Sequence, residues 1–97
     1  MSRSKNPIEE LLGSRGRIRI LNVLAESGDL NISEVSRRTG LNYTSVERHL
    51  SKLVKLGLIK EKRYGKIRIF QTVFKVLTVK FEKGAEMTMS VENTSKE

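Results

Sequence analysis

Between Ser33 and Gly57 the chain reads SEVSRRTGLNYTSVERHLSKLVKLG, and few folds accommodate such a stretch. Ser33 can cap a short helix with Glu34 in its first turn and Val35 on its inner side. Gly40 and Leu41 interrupt that helix, Gly40 supplying the backbone freedom a sharp turn needs, and small Ser36 permits close helix approach. Asn42 then caps a second helix running to Lys55, with Val46, Leu50, Leu53 and Val54 as its apolar positions. Two helices joined by so tight a turn have helix-turn-helix spacing.

At about 100° per residue those four apolar side chains share one side of the second helix. Thr44, Arg48, Ser51, Lys52 and Lys55 share the other, with Glu47, the helix's only acid, at the edge. Hydroxyls and cations on one face suit a DNA major groove, where arginine reads guanine edges, short hydroxyls read several bases and lysine neutralises phosphate. Tyr43, Thr44, Ser45 and Arg48, near the helix start, are the candidates for base edges, and Lys52 and Lys55 for phosphates. A solvated cationic helix face would have the same composition. His49, at the edge of the apolar arc, is expected to be half-buried and to satisfy a local hydrogen bond.

The 97 residues carry a net charge of +8, which favours a polyanionic partner, nucleic acid before an anionic membrane. A single domain of this length builds only a modest core, so a dimer would help it. Without cysteine there is no disulfide, thiolate metal site or cysteine nucleophile. With one histidine, no phosphate-cradling glycine loop and no acidic metal cluster, enzymatic chemistry has no support. No apolar run approaches the roughly 18 residues that span a bilayer. The expected setting is the cytoplasm, on the nucleoid, with no membrane partner, cofactor or evident small-molecule effector.

Residues 1–6, with Arg3 and Lys5, are expected to form a basic arm. Asn6 and Pro7 start a helix to Leu12, and Ser14 caps another from Arg15 to Ser27, with Ile18, Leu21, Leu24 and Ala25 inward. Ile20 and Val23 widen that stripe, so the helix is expected to touch more than one neighbour, either inside the chain or in a second copy. Arg15, Arg17 and Arg19 at its start are either phosphate contacts or solvated charge. After Gly57 the period changes to two: Leu58–Arg63 and Ile67–Gln71 predict a hairpin around Tyr64 and Gly65. With those two as the loop, Glu61 faces Arg68 and Ile59 faces Phe70. Lys60, Lys62, Arg63, Lys66 and Arg68 make this the most basic element, suited to the DNA backbone. Val73, Leu77 and Phe81 predict a helix over 73–84, with a strand as the competing fit, and 85–97 is expected to be a disordered polar tail.

This order of elements, with RIRILNVLAESGDLNISEVSRRTGLNYTSVERHLSKLVKLGLIKEKRYGKIRIF from Arg17 to Phe70, resembles archaeal and bacterial winged helix-turn-helix transcriptional regulators of the arsenical-repressor-like (ArsR-like) class. The resemblance implies a mainly α fold with a small β-hairpin: a three-helix core plus wing over residues 7–72, then a C-terminal dimerisation helix. It implies that Asn42 to Lys55 enters the major groove and that the wing, with Lys62, Arg63, Tyr64, Lys66 and Arg68, lies on the backbone or minor groove of double-stranded DNA. It also implies a homodimer built by the first and last helices. The metal ligands of the classical sensors are missing, so metal sensing is not expected. An architectural DNA-coating protein would share the charge, and a protein-binding winged helix would share the fold.

Overall fold

In the computed structural model, which describes residues 6–93, each helix begins on a side chain that accepts from the first-turn backbone. Helix α1, Pro7–Leu12, takes its cap from Asn6, whose Oδ1 accepts from Ile8 N at 2.7 Å. Helix α2, Arg15–Ser27, is capped by Ser14 Oγ, accepting from Arg17 N at 3.1 Å. After a two-residue strand β1, Leu30–Asn31, comes α3, Ile32–Thr39. Its cap is Asn31, not Ser33. Asn31 Oδ1 accepts from Glu34 N at 2.8 Å while Glu34 Oε1 accepts from Asn31 N at 2.9 Å, a reciprocal box. Counting three on from Ser33 lands on Ser36, which has no carboxylate to return the bond.

Gly40 stands in the left-handed region at φ 76° and ends α3, its N–H donating to Ser36 O at 2.9 Å. Ser36 Oγ donates to Leu41 O at 2.6 Å and Thr39 Oγ1 accepts from Leu41 N at 3.2 Å, so side chains of α3 hold the turn closed. Helix α4, Tyr43–Lys55, follows with Asn42 Oδ1 accepting from Ser45 N at 2.8 Å.

The core gathers Ile20 and Leu24 of α2, Val35 of α3, Val46, Leu50 and Leu53 of α4, and Phe70 from the sheet, all essentially buried. Three expected core positions lie outside it. Ile18 is 40% exposed and Ala25 is exposed, because the buried side of α2 is Ile20, Leu21, Val23 and Leu24, whose centre lies well round the helix from both. Val54 is 38% exposed, about a quarter-turn from the centre of the buried arc of α4.

The hairpin comprises β2, Ile59–Tyr64, and β3, Ile67–Thr72, and the sheet order is β1-β3-β2. Its loop is Gly65 and Lys66, one residue later than expected. Gly65 takes φ 64° at the first loop position, where a tight hairpin turn of this kind favours glycine. Tyr64 therefore pairs with Ile67, Glu61 with Phe70 and Ile59 with Thr72, which moves the register two residues from the expected pairing.

The expected helix over 73–84 is a strand. Strand β4, Phe74–Lys80, pairs antiparallel with β5, Thr88–Asn93, so part of the expected disordered tail is ordered as well. Half-buried Leu77 and Val79 alternate with exposed Val76, Thr78 and Lys80, and Leu77↔Val91 and Val79↔Met89 are cross-strand pairs. The run of β-branched residues favours that geometry once a partner strand is present. A bulge between Phe74 and Val76 lets Phe74 turn into the core. Apart from Asn6, the expected N-terminal arm lies outside the described residues, as do positions 94–97 of the tail. Among the described residues no helix is long and apolar enough to cross a membrane.

Candidate nucleic-acid interface

With its buried arc of Val46, His49, Leu50 and Leu53 fixed against α2 and α3, α4 turns a row of Thr44, Arg48, Ser51 and Lys55 outward, spaced four, three and four apart. All four are exposed, and none of the charged members has an ion-pair partner among the described residues. Tyr43, 51% exposed, lies on one flank of this row. On the other flank Ser45 is half-buried, and Lys52 reaches Glu10 Oε1 of α1 at 3.3 Å. Asn42 has its side-chain oxygen committed to the cap.

The wing stands beside the Tyr43 flank. Tyr43, Ser33, Lys66 and Ile67 line a common cleft of about 180 Å³ with Arg68, which brings the start of α4 and the wing tip to one surface. Alternation along β2 divides the wing's cations. Lys60, Lys62 and Tyr64 project from one face of the hairpin, and Glu61 and Arg63 from the face shared with Arg68 and Phe70. Lys62, Tyr64 and Lys66 are exposed, while Arg63 Nε donates to Glu61 Oε2 at 3.2 Å.

Arg68 does not project freely. Its guanidinium donates to Glu61 Oε2 at 2.7 Å and to Glu47 Oε2 on α4 at 3.0 Å, and it lies 5.4 Å above the Phe70 ring. Hydrogen bonding to Arg68 is the main influence holding the Glu61 carboxyl below its usual range, and the two carboxylates raise Arg68 in return, Glu61 foremost. One side chain thus joins wing to helix. The Glu61–Arg68 contact expected from the sequence forms, diagonally across the shifted register, and Glu47, the only acid of α4, is the sequence signal for the second contact.

The cations at the start of α2 are structural as well. Arg17 donates to the Glu10 carbonyl and approaches its carboxylate at 3.8 Å, and Arg19 donates to Thr39 O at 3.2 Å. Arg15 alone of the three is exposed without a bond among the described residues.

His49 is 8% exposed, more deeply placed than expected, and its Nδ1 has no hydrogen-bond partner among the described residues, so the expected local bond is not made there. Its other ring nitrogen lies against Gly16, where a Cβ would stand 2.9 Å from Nε2. Burial first, then the charges of Arg17 and Arg48, lowers its pKa below the ordinary 6.5.

Residues 14–61 match the model of the bacterial regulatory protein, arsR family. Among solved structures, the chain is similar to the homodimeric winged helix-turn-helix DNA-binding domain of a possible ArsR-family transcriptional regulator from Mycobacterium bovis, at 26% identity and TM-score 0.61 over 68% of this chain and 60% of that one. It is similar to Rv0081 of M. tuberculosis at 28% identity and TM-score 0.58, over 65% of this chain and 63% of that one. It is also similar to the antimony-specific transcriptional repressor AntR, at 25% identity and TM-score 0.61, over 66% of this chain and 58% of that one. The chain therefore spans about three fifths of the length of these proteins. No curated protein matches the sequence significantly. The fold is a winged helix-turn-helix, shared with these neighbours. No three histidine, aspartate or glutamate side chains converge as a metal-ligand set among the described residues, and with no cysteine in the chain a thiophilic metal or metalloid finds no thiolate here.

Proposed function

We propose that this chain is a transcriptional regulator that binds double-stranded DNA sequence-specifically as a homodimer. The observation that supports it most is the outward row of α4 beside a cationic wing, both on a surface where Tyr43 and Lys66 share one cleft. The similarity to a homodimeric DNA-binding domain adds to it.

In this reading α4 enters the major groove, with Arg48 at the centre of the outward row and Tyr43, Thr44 and Ser45 at its N-terminal end reading base edges. Lys55, Lys62 and Lys66 neutralise phosphates. Lys52 contributes after exchanging Glu10 for phosphate, Arg63 lies on the wing face turned toward α4, and Asn42 and Arg68 position the elements that make the contacts. Two copies on one duplex require half-sites about 34 Å apart and a palindromic site.

Selection of bound sequences from random duplex DNA tests this. The expected result is a palindrome that Arg48→Ala relaxes, at a cost of about 1–3 kcal/mol, while Lys66→Ala weakens all duplexes alike and reduces the salt slope by about 1. No enrichment of any sequence, with equal affinity for selected and scrambled duplex, refutes sequence-specific regulation and leaves DNA coating as the reading.

A further inference from the structure

Helix α2 has two apolar faces, and the fold uses only one of them fully. Ile20, Val23 and Leu24 face the core and buried Leu21 stands at its edge, while Ile18, Asn22 and Ala25 lie nearly opposite, turned away from that core. The second face forms one wall of an open groove of about 340 Å³, whose other wall is Leu77 and Val79 of β4. Ile18 is 40% exposed there, and Val91, cross-strand from Leu77 and so on the same hairpin face, is 47% exposed.

The charge distribution says what fits. Residues 74–97 contain Lys75, Lys80, Lys83 and Lys96 against Glu82, Glu86, Glu92 and Glu97, a net charge of zero, so the whole +8 belongs to residues 1–73. A polyanion is drawn to the other part of the molecule. A second copy, which the +8 repels elsewhere, meets no net charge at this hairpin. The two-stranded sheet β4-β5 has free strand edges among the described residues, and β5 carries neither lysine nor proline to discourage pairing. Two-fold association would cover the groove and those edges together.

We propose that the outer face of α2 and the groove-facing side of the β4-β5 hairpin form the seam of a homodimer, the occupant being a second copy of this chain. The proposal rests on the dimeric reading above and assigns the seam to a β-hairpin in place of the expected C-terminal helix. Because Ile18 and Ala25 lie across α2 from its core face, association there leaves the outward row of α4 uncovered.

Analytical ultracentrifugation of the full chain without DNA tests it. The parent should sediment as a dimer at micromolar concentration. Ile18→Glu and Val91→Glu, both at positions exposed in the single chain, should keep the helical circular dichroism signal and weaken association about 100-fold or more. Val76→Glu, 44% exposed but on the opposite hairpin face, should remain dimeric. A monomeric parent overturns the seam, as does a dimer that tolerates both Ile18→Glu and Val91→Glu or one that Val76→Glu disrupts equally. Failure to bind duplex counts against the regulatory reading alone, since the seam is measured in its absence.

Discussion

Replacing Arg68 with glutamine should loosen the wing from α4, and the structure sets the size of the effect. The guanidinium bridges Glu61 and Glu47, with the arginine side chain 26% exposed and the two carboxylate side chains 23% and 47% exposed. Charge-assisted contacts this accessible contribute about 0.5–1 kcal/mol each, the Glu47 contact at the lower end because water screens it. Arg68→Gln should therefore destabilise the domain by about 1–2 kcal/mol, lowering the melting temperature by roughly 5–10 °C for a chain of this size. Arg68→Lys keeps the charge but has no fork to hold two carboxylates, so it should lose most of the same stability. Melting followed by circular dichroism at pH 7, with a double-mutant cycle through Glu47→Gln, should return a Glu47–Arg68 coupling of about 0.5 kcal/mol. Since the folded-state pKa of Glu61 lies below its ordinary 4.5, the stabilisation is present above pH 4.5. It is lost as pH falls through the lower folded value, so parent and Arg68→Gln should converge in acid. An Arg68→Lys variant as stable as the parent, or a difference that persists undiminished in acid, would refute the bridge.

Two further outcomes follow from His49 and Gly16. With its folded pKa held below 6.5, His49 contributes stability that is full above pH 6.5 and lost as pH falls through the folded value. His49→Gln should flatten the part of the stability profile just below pH 6.5, and an unchanged profile would remove His49 as its cause. Gly16→Ala should destabilise by about 1 kcal/mol although alanine favours helices, because the added Cβ meets the buried His49 ring at 2.9 Å. His49→Ala in the same chain should reverse that sign in chemical denaturation, and a stabilised single variant would show that the ring simply moves aside.

What the sequence disclosed depended on how local the determinant was. Asn6, Ser14 and Asn42 cap through atoms two or three residues away, and the helices they start lie where their positions predict. Asn31 was masked by Ser33, a competent cap type two residues later, and only the return bond from Glu34 separates the two. The hairpin was legible from its period, but its register turned on which residue took positive φ, and Gly65 decides that. Residues 73–84 fit helix and strand nearly equally by spacing. The decision lay in Met89 and Val91, ten and fourteen residues beyond the Val79 and Leu77 they pair with, which supply the partner strand. For the interface, the exposed row of α4 followed from helical periodicity alone. The Glu47 contact of Arg68 and the engagement of Arg17 and Arg19 did not, because those partners come from other elements, whereas Glu61 beside Arg68 was expected within the hairpin.

The Glu47–Arg68–Glu61 bridge makes a caliper of the two basic elements. Jaws pinned at one joint have a fixed opening, so in the proposed complex the protein, and not the duplex, dictates how many base pairs separate the groove that α4 occupies from the backbone the wing grips. Inserting one base pair between those contacts within a half-site should then weaken binding, and Arg68→Gln should relieve part of that loss.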